Sequence, residues 1–171
     1  MVPPIYGALW GLDVPAGESE FVMKDSFTAP VDMELVTVGG HAHMLWRSMR
    51  ATATLPSGEK QVLFHIPDWD FDWQTRYEYR QAVVVPKGAV VDVEIVYDNS
   101  AQNPSNPFDP PQRVRWGRES TDEMGAVVFG AVAVEEKDSD TLRRGIRSES
   151  TRSMRRARTR VSDGFVDRLM Q

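Results

Sequence analysis

A chain of 171 residues without a cysteine excludes disulfides, thiolate metal ligands and a cysteine nucleophile, and it is long enough for one domain with a proper core. Its 41% hydrophobic and 26% charged content is that of an ordinary globular protein, and no apolar run approaches the roughly 18 residues of a membrane span. The net charge of −5 is unevenly spread: residues 1–141 carry 11 Lys/Arg against 22 Asp/Glu, whereas residues 142–171 carry 9 against 3, an acidic body with a basic tail.

The N-terminal run Met1-Val2-Pro3-Pro4-Ile5-Tyr6 has no basic segment followed by an apolar one, so no signal peptide is expected, although the chain could be cut from a longer precursor. From Phe21 onward the sequence reads as short strands. Phe21-Val22-Met23-Lys24 and residues Val31 to Val38 alternate apolar and polar over part of their length, with Pro30 at the start of the second, where a missing N–H is tolerated. A strand through Gly39, Gly40 and His41-Ala42-His43 is expected to run on to Leu55. It stops at the turn cluster Pro56-Ser57-Gly58-Glu59, and Gln61 to Ile66 returns as the second arm of a hairpin.

Pro67-Asp68-Trp69-Asp70-Phe71-Asp72-Trp73-Gln74 has a period of two, which predicts an aromatic face packed on the core and a solvated carboxylate face. Val83 to Val85 is a strand ended by Pro86-Lys87-Gly88, and Val90 to Tyr97 is the clearest strand in the chain. Residues 98–111 form a loop rich in Asn, Ser and Pro, stiffened by its prolines. Arg113 to Trp116 and Ala126 to Val134 complete eight to ten strands. This predicts an all-β protein, an antiparallel β-sandwich or jelly roll, over residues 1–137. Residues 138–171 form an arginine-rich C-terminal tail with eight arginines between Arg143 and Arg160. Val161, Phe165 and Leu169 recur there at four-residue steps, which predicts a short amphipathic helix. No aromatics interleave the arginines from Arg143 to Arg160, so nucleic acid is not an expected partner.

Two of the three histidines sit one residue apart at His41 and His43. In a strand they share a face, so they are either two ligands of a metal site that lacks a third or simply part of a polar face. Met124 follows Asp122 and Glu123 and precedes Gly125, at the start of an apolar strand that could lie beside the histidines; its alternative role is to fill a core gap. Two imidazoles and a thioether suit copper better than zinc or calcium, because the soft sulfur favours Cu(I), and three ligands leave a fourth position open. Asp122 and Glu123 could orient a histidine from behind or cap the turn.

His41-Ala42-His43, the Trp-Asp-Phe-Asp-Trp-Gln core of 67–74, Tyr97-Asp98-Asn99-Ser100 with Asn103-Pro104 and Asn106-Pro107, Val114-Arg115-Trp116-Gly117 and Thr121-Asp122-Glu123-Met124 occur in that order. Over about residues 7–135 the chain resembles the C-terminal, catalytic-copper domain of the copper type II, ascorbate-dependent monooxygenases, the family of the peptidylglycine alpha-hydroxylating and dopamine beta-monooxygenases and their bacterial relatives. The resemblance implies a jelly roll that binds one copper ion through His41, His43 and Met124, with no catalytic residue beyond those ligands. It also implies hydroxylation of an activated C–H bond of a small-molecule or peptide substrate with dioxygen, with ascorbate as the reductant. Members are typically exported, which implies a periplasmic or secreted protein.

The chain departs from the family in several places. Members carry a second, three-histidine copper site in a preceding domain, and only His65 remains here, so an electron-donating domain, protein or diffusible reductant is expected. The side chains that hold a peptide carboxylate in the amidating members correspond to Gly39, Ala126 and Val128, so a peptidylglycine substrate is not expected. A cysteine that commonly follows the methionine is Gly125. The competing reading is a non-catalytic module that binds copper, or binds a glycan through Trp69, Trp73, Trp116 and the Asn-rich loop. His65 is expected on a partly buried strand face.

Overall fold

The computed structural model describes residues 12–149 and 151. Among them nine strands build an antiparallel β-sandwich. One sheet has the order β2 (Phe21–Thr28), β7 (Val90–Tyr97), β4 (Trp46–Thr54), β5 (Lys60–Ile66); the other has β6 (Arg76–Val85), β3 (Met33–Ala42), β9 (Gly125–Ala133). A small ribbon pairs β1 (Asp13–Val14) with β8 (Val114–Arg115). The β4–β5 hairpin turns where expected, with Gly58 at φ 87°, a backbone region that disfavours any residue carrying a Cβ.

The two sheets bury one core between them. Met23, Phe27, Met49, Ala51, Val93 and Ile95 come from one sheet and Met33, Leu35, Val38, Val127 and Phe129 from the other. Each large side chain buried this way contributes about 1.5–3 kcal/mol, which is what holds the layers face to face. Residues 139–149 form helix α1, whose Leu142 and Ile146, four residues apart on one face, join the same core. The amphipathic pattern Val161, Phe165, Leu169 lies outside the described residues. No helix among the described residues is long and apolar enough to cross a membrane.

A register shift in β3 decides which way the histidines face. The ladder with β9 jumps from Leu35 to Thr37, leaving Val36 as a one-residue bulge. Before it Met33 and Leu35 point inward; after it Val38, Gly40 and Ala42 do. His41 therefore faces outward with Gly39, and its neighbours across the β9 ladder are Ala126 and, opposite Gly39, Val128.

The expected run-on of the histidine strand is corrected. β3 ends at Ala42, residues 43–45 turn, and β4 starts at Trp46 in the other sheet. The physical cause is that the backbone groups of the turn are already taken. The His43 and Leu45 N–H groups donate to the Glu123 carboxylate, the His43 carbonyl accepts from the Trp69 indole, and the Leu45 carbonyl accepts from the Asp98 N–H. The period of two at 67–74 does not make a strand either: those residues form a loop between β5 and β6.

Candidate metal centre

The β3–β9 pairing brings the two sequence signals together. His41 lies opposite Ala126 and Ala42 opposite Gly125, so Met124, one residue before β9, sits at the same end of the sheet as His41 and His43. The Met124 sulfur is 3.1 Å from His41 Nε2. The two imidazoles are 5.7 Å apart between centroids and nearly perpendicular, at 87°. His41 is exposed and Met124 partly so, whereas His43 is buried at 6% exposure, so the group lies on the rim of the sandwich with one open side.

Both rings are fixed from behind at Nδ1. His43 Nδ1 lies 3.0 Å from the Asp122 carbonyl oxygen, which can only accept, so this nitrogen carries the proton. His41 Nδ1 lies 2.6 Å from Gln74 Oε1, and the Gln74 amide is oriented because its nitrogen donates to the Phe71 carbonyl at 2.9 Å. With a single proton on each ring, Nε2 is thus the bare nitrogen. On His41 that lone pair faces the thioether sulfur, itself only an acceptor, so two lone pairs converge with no hydrogen between them. A soft cation resolves that arrangement; a proton on His41 Nε2 is the other way to do so. The acceptor behind each ring is what ligating histidines ordinarily have.

Glu123 is fully buried at 0% exposure. Burial pushes its carboxyl up to about 7, against the opposing pull of three backbone N–H donors at His43, Met124 and Leu45. Behind it the Tyr97 hydroxyl is buried with no hydrogen-bond partner among the described residues, and its pKa is raised by burial and then by the Glu123 charge.

The aromatic run does not form one packed face. Trp69 lies half-buried on Trp46, with ring centroids 4.6 Å apart, and donates to the His43 carbonyl at 3.1 Å. Phe71 stands edge-on to His43 at 6.4 Å. Trp73 is 66% exposed and donates to the Tyr77 hydroxyl. Asp68, Asp70 and Asp72 are exposed, and Asp70 is tied into the loop by the Asp72 N–H. Spacing alone could not separate these roles, because the period of two suits a strand and the chain here is a turn held by Gln74 and Trp69.

No family model matches the chain, and no curated protein does either. Among the described residues no group of three or more His, Cys, Asp or Glu side chains is disposed to hold an ion. The His41, His43 and Met124 set brings two such side chains and a thioether, a donor set that fits copper in the reduced state and fits zinc or calcium poorly. His65 is exposed on β5, in the other sheet, opposite Arg50, rather than on a partly buried face. The Asn-rich loop is built from its own contacts. Asn99 is fully buried and its amide donates to the carbonyls of Val14, Pro15 and Gln112, while Asn106 donates to Asn99 Oδ1 and Ser100 O. Those amides are spent on holding the loop, and Trp69 and Trp116 pack against the core, so of the expected glycan platform Trp73 alone lies open.

Proposed function

We propose that this domain binds one copper ion through His41, His43 and Met124 and acts as a monooxygenase, hydroxylating an activated C–H bond with dioxygen and ascorbate. The observation that carries the reading is the convergence of His41 Nε2 on the Met124 sulfur at 3.1 Å, beside a second imidazole whose Nδ1 is also held by an acceptor. Copper bound there would supply one-electron chemistry between Cu(I) and Cu(II). Inserting one oxygen atom into C–H while reducing the other to water consumes two electrons and two protons, which ascorbate can provide on oxidation to dehydroascorbate.

This chain's own residues hold and shield the site. Gln74 Oε1 and the Asp122 carbonyl keep the protons on Nδ1 and aim both rings. Phe71 and Trp69 cover the His43 side and limit water there, while the His41 side stays open. Next to His41 on the outer sheet face stand Gly39, Ala126 and Val128, none of which can pair with a charge. The substrate is therefore one without an anionic group anchored at those positions. Electrons reach the site from outside the chain, from a diffusible reductant or from a donor domain or protein.

X-ray absorption on protein loaded with one equivalent of Cu(I), wild type beside Met124→Ile, tests the centre. The expected result is one sulfur scatterer in the wild type and none in the variant, with two imidazoles in both. A wild-type shell without sulfur would end the proposal.

A further inference from the structure

We infer that Glu123 is the positioning residue of this centre: its buried carboxylate sets the distance between the histidine turn and the methionine before any metal arrives. The inference rests on the copper reading above and extends it to how the site is built. One oxygen, Oε1, accepts from the His43 and Met124 backbone N–H groups, each at 2.8 Å, and Oε2 accepts from Leu45 N–H at 2.8 Å. Two of the three donors thus belong to proposed ligand residues, about 80 positions apart in the chain.

The carboxylate is itself anchored. The Glu123 N–H donates to the Arg115 carbonyl at 3.1 Å, and the Glu123 carbonyl accepts from Gly117 N–H at 3.2 Å, so its backbone bridges to the end of β8 and the residues just after it. A fold that needed only to end β3 could use water or any loop carbonyl for these N–H groups. Here a side chain that is 0% exposed, and costly to bury, is placed where the two ligand-bearing segments meet. Asp122 has its main-chain carbonyl on His43 Nδ1, and Met124 supplies the sulfur. Each residue of the Asp-Glu-Met run therefore has a distinct task.

Aspartate in place of Glu123 is one methylene too short to span both segments. Glutamine keeps one acceptor oxygen but turns an NH2 group toward one of the donors, so at least one of the three bonds is lost. Second-layer changes of this kind lower metal affinity by about 10- to 100-fold.

The test compares wild type, Glu123→Gln, Glu123→Ala and a core variant far from the site, Phe27→Leu, chosen to match the loss of thermal stability. In the metal-free proteins the amide protons of His43, Leu45 and Met124 are followed by NMR and hydrogen exchange; Cu(I) affinity and the Cu–S scattering are then measured. The expected result is downfield, slowly exchanging amides at 43, 45 and 124 in the wild type and in Phe27→Leu. In Glu123→Gln at least one is lost, affinity falls by about tenfold or more, and the sulfur scatterer weakens. Glu123→Ala goes further where it folds. Retention of wild-type affinity and sulfur scattering by Glu123→Gln, with the amides shifted, makes the carboxylate a structural knot only and overturns the inference. No sulfur in the wild type instead overturns the copper reading and leaves the amide result standing.

Discussion

Gln74→Ala isolates the orienting contact on His41, the exposed one of the three proposed ligands. Gln74 Oε1 holds His41 Nδ1 at 2.6 Å and its amide nitrogen donates to the Phe71 carbonyl; Gln74 is solvent-exposed, so truncation opens no core cavity and stability is expected to fall by about 1 kcal/mol through these two bonds. The net worth of such a hydrogen bond is about 0.5–1.5 kcal/mol. Loss of the partner of a ligating histidine lowers metal affinity by about 10- to 100-fold. Because water can replace the lost acceptor at this exposed ring, the lower end applies: about tenfold weaker Cu(I) binding, or ~1.4 kcal/mol. Anaerobic competition against a chromophoric Cu(I) chelator measures the affinity, and the nitrogen-15 shifts of the His41 ring in the metal-free protein report which nitrogen carries the proton. Wild type should show the Nδ1–H form, and Gln74→Ala a mixture. Affinity within twofold of wild type together with an unchanged tautomer would refute the reasoning, since the ring would then be held by something other than Gln74.

Gly125→Ala should destabilise the protein by about 2 kcal/mol, or ~4–8 °C in Tm, because its Cβ would fall inside the buried Tyr97 hydroxyl. Adding Tyr97→Phe, which removes that hydroxyl, should recover part of the loss, and strictly additive effects in calorimetry would show that the two groups do not meet. Stability of the metal-free protein should also depend on pH through Glu123. Its folded pKa of about 7 stands above the ordinary 4.5, so between those values the unfolded chain has released a proton that the folded one keeps. The contribution is therefore present at low pH, falls as pH rises through this window, and amounts to about 3 kcal/mol in all. Urea unfolding at pH 5 and pH 8 should show a steeper decline for wild type than for Glu123→Gln, and equal slopes would refute the assignment.

Much of the fold was legible because the strands carry their own punctuation. Gly58 and Pro86-Lys87-Gly88 mark turns that the structure keeps, and the alternation in 90–97 matches its burial residue by residue. The sequence points to a helix in the basic tail at Val161 to Leu169 rather than over 139–149, because Leu142 and Ile146, the apolar residues that seat this helix on the core, are two isolated positions amid arginines. The aromatic run 67–74 misled because periodicity reports side-chain spacing, not hydrogen bonding. The loop is shaped by Gln74 on Phe71 and Trp69 on His43, contacts between segments that no local pattern contains. Of the centre, His41, His43 and Met124 were readable as chemistry; Gln74 stood in the sequence next to the aromatics, with nothing to mark it as the partner of a histidine.

Residue types and order alone settle a domain without cysteine and the antiparallel strand content, and they single out His41, His43 and Met124 as candidates, because these follow from composition, period and turn chemistry. The facing of the site follows from long-range pairing. The bulge at Val36 turns His41 outward while keeping Val38 in the core, and the β3–β9 register carries Met124 to it across more than eighty residues. The physical reason is that a strand's face depends on a single-residue shift in its ladder, and the partners that impose the shift are set by packing the whole sandwich.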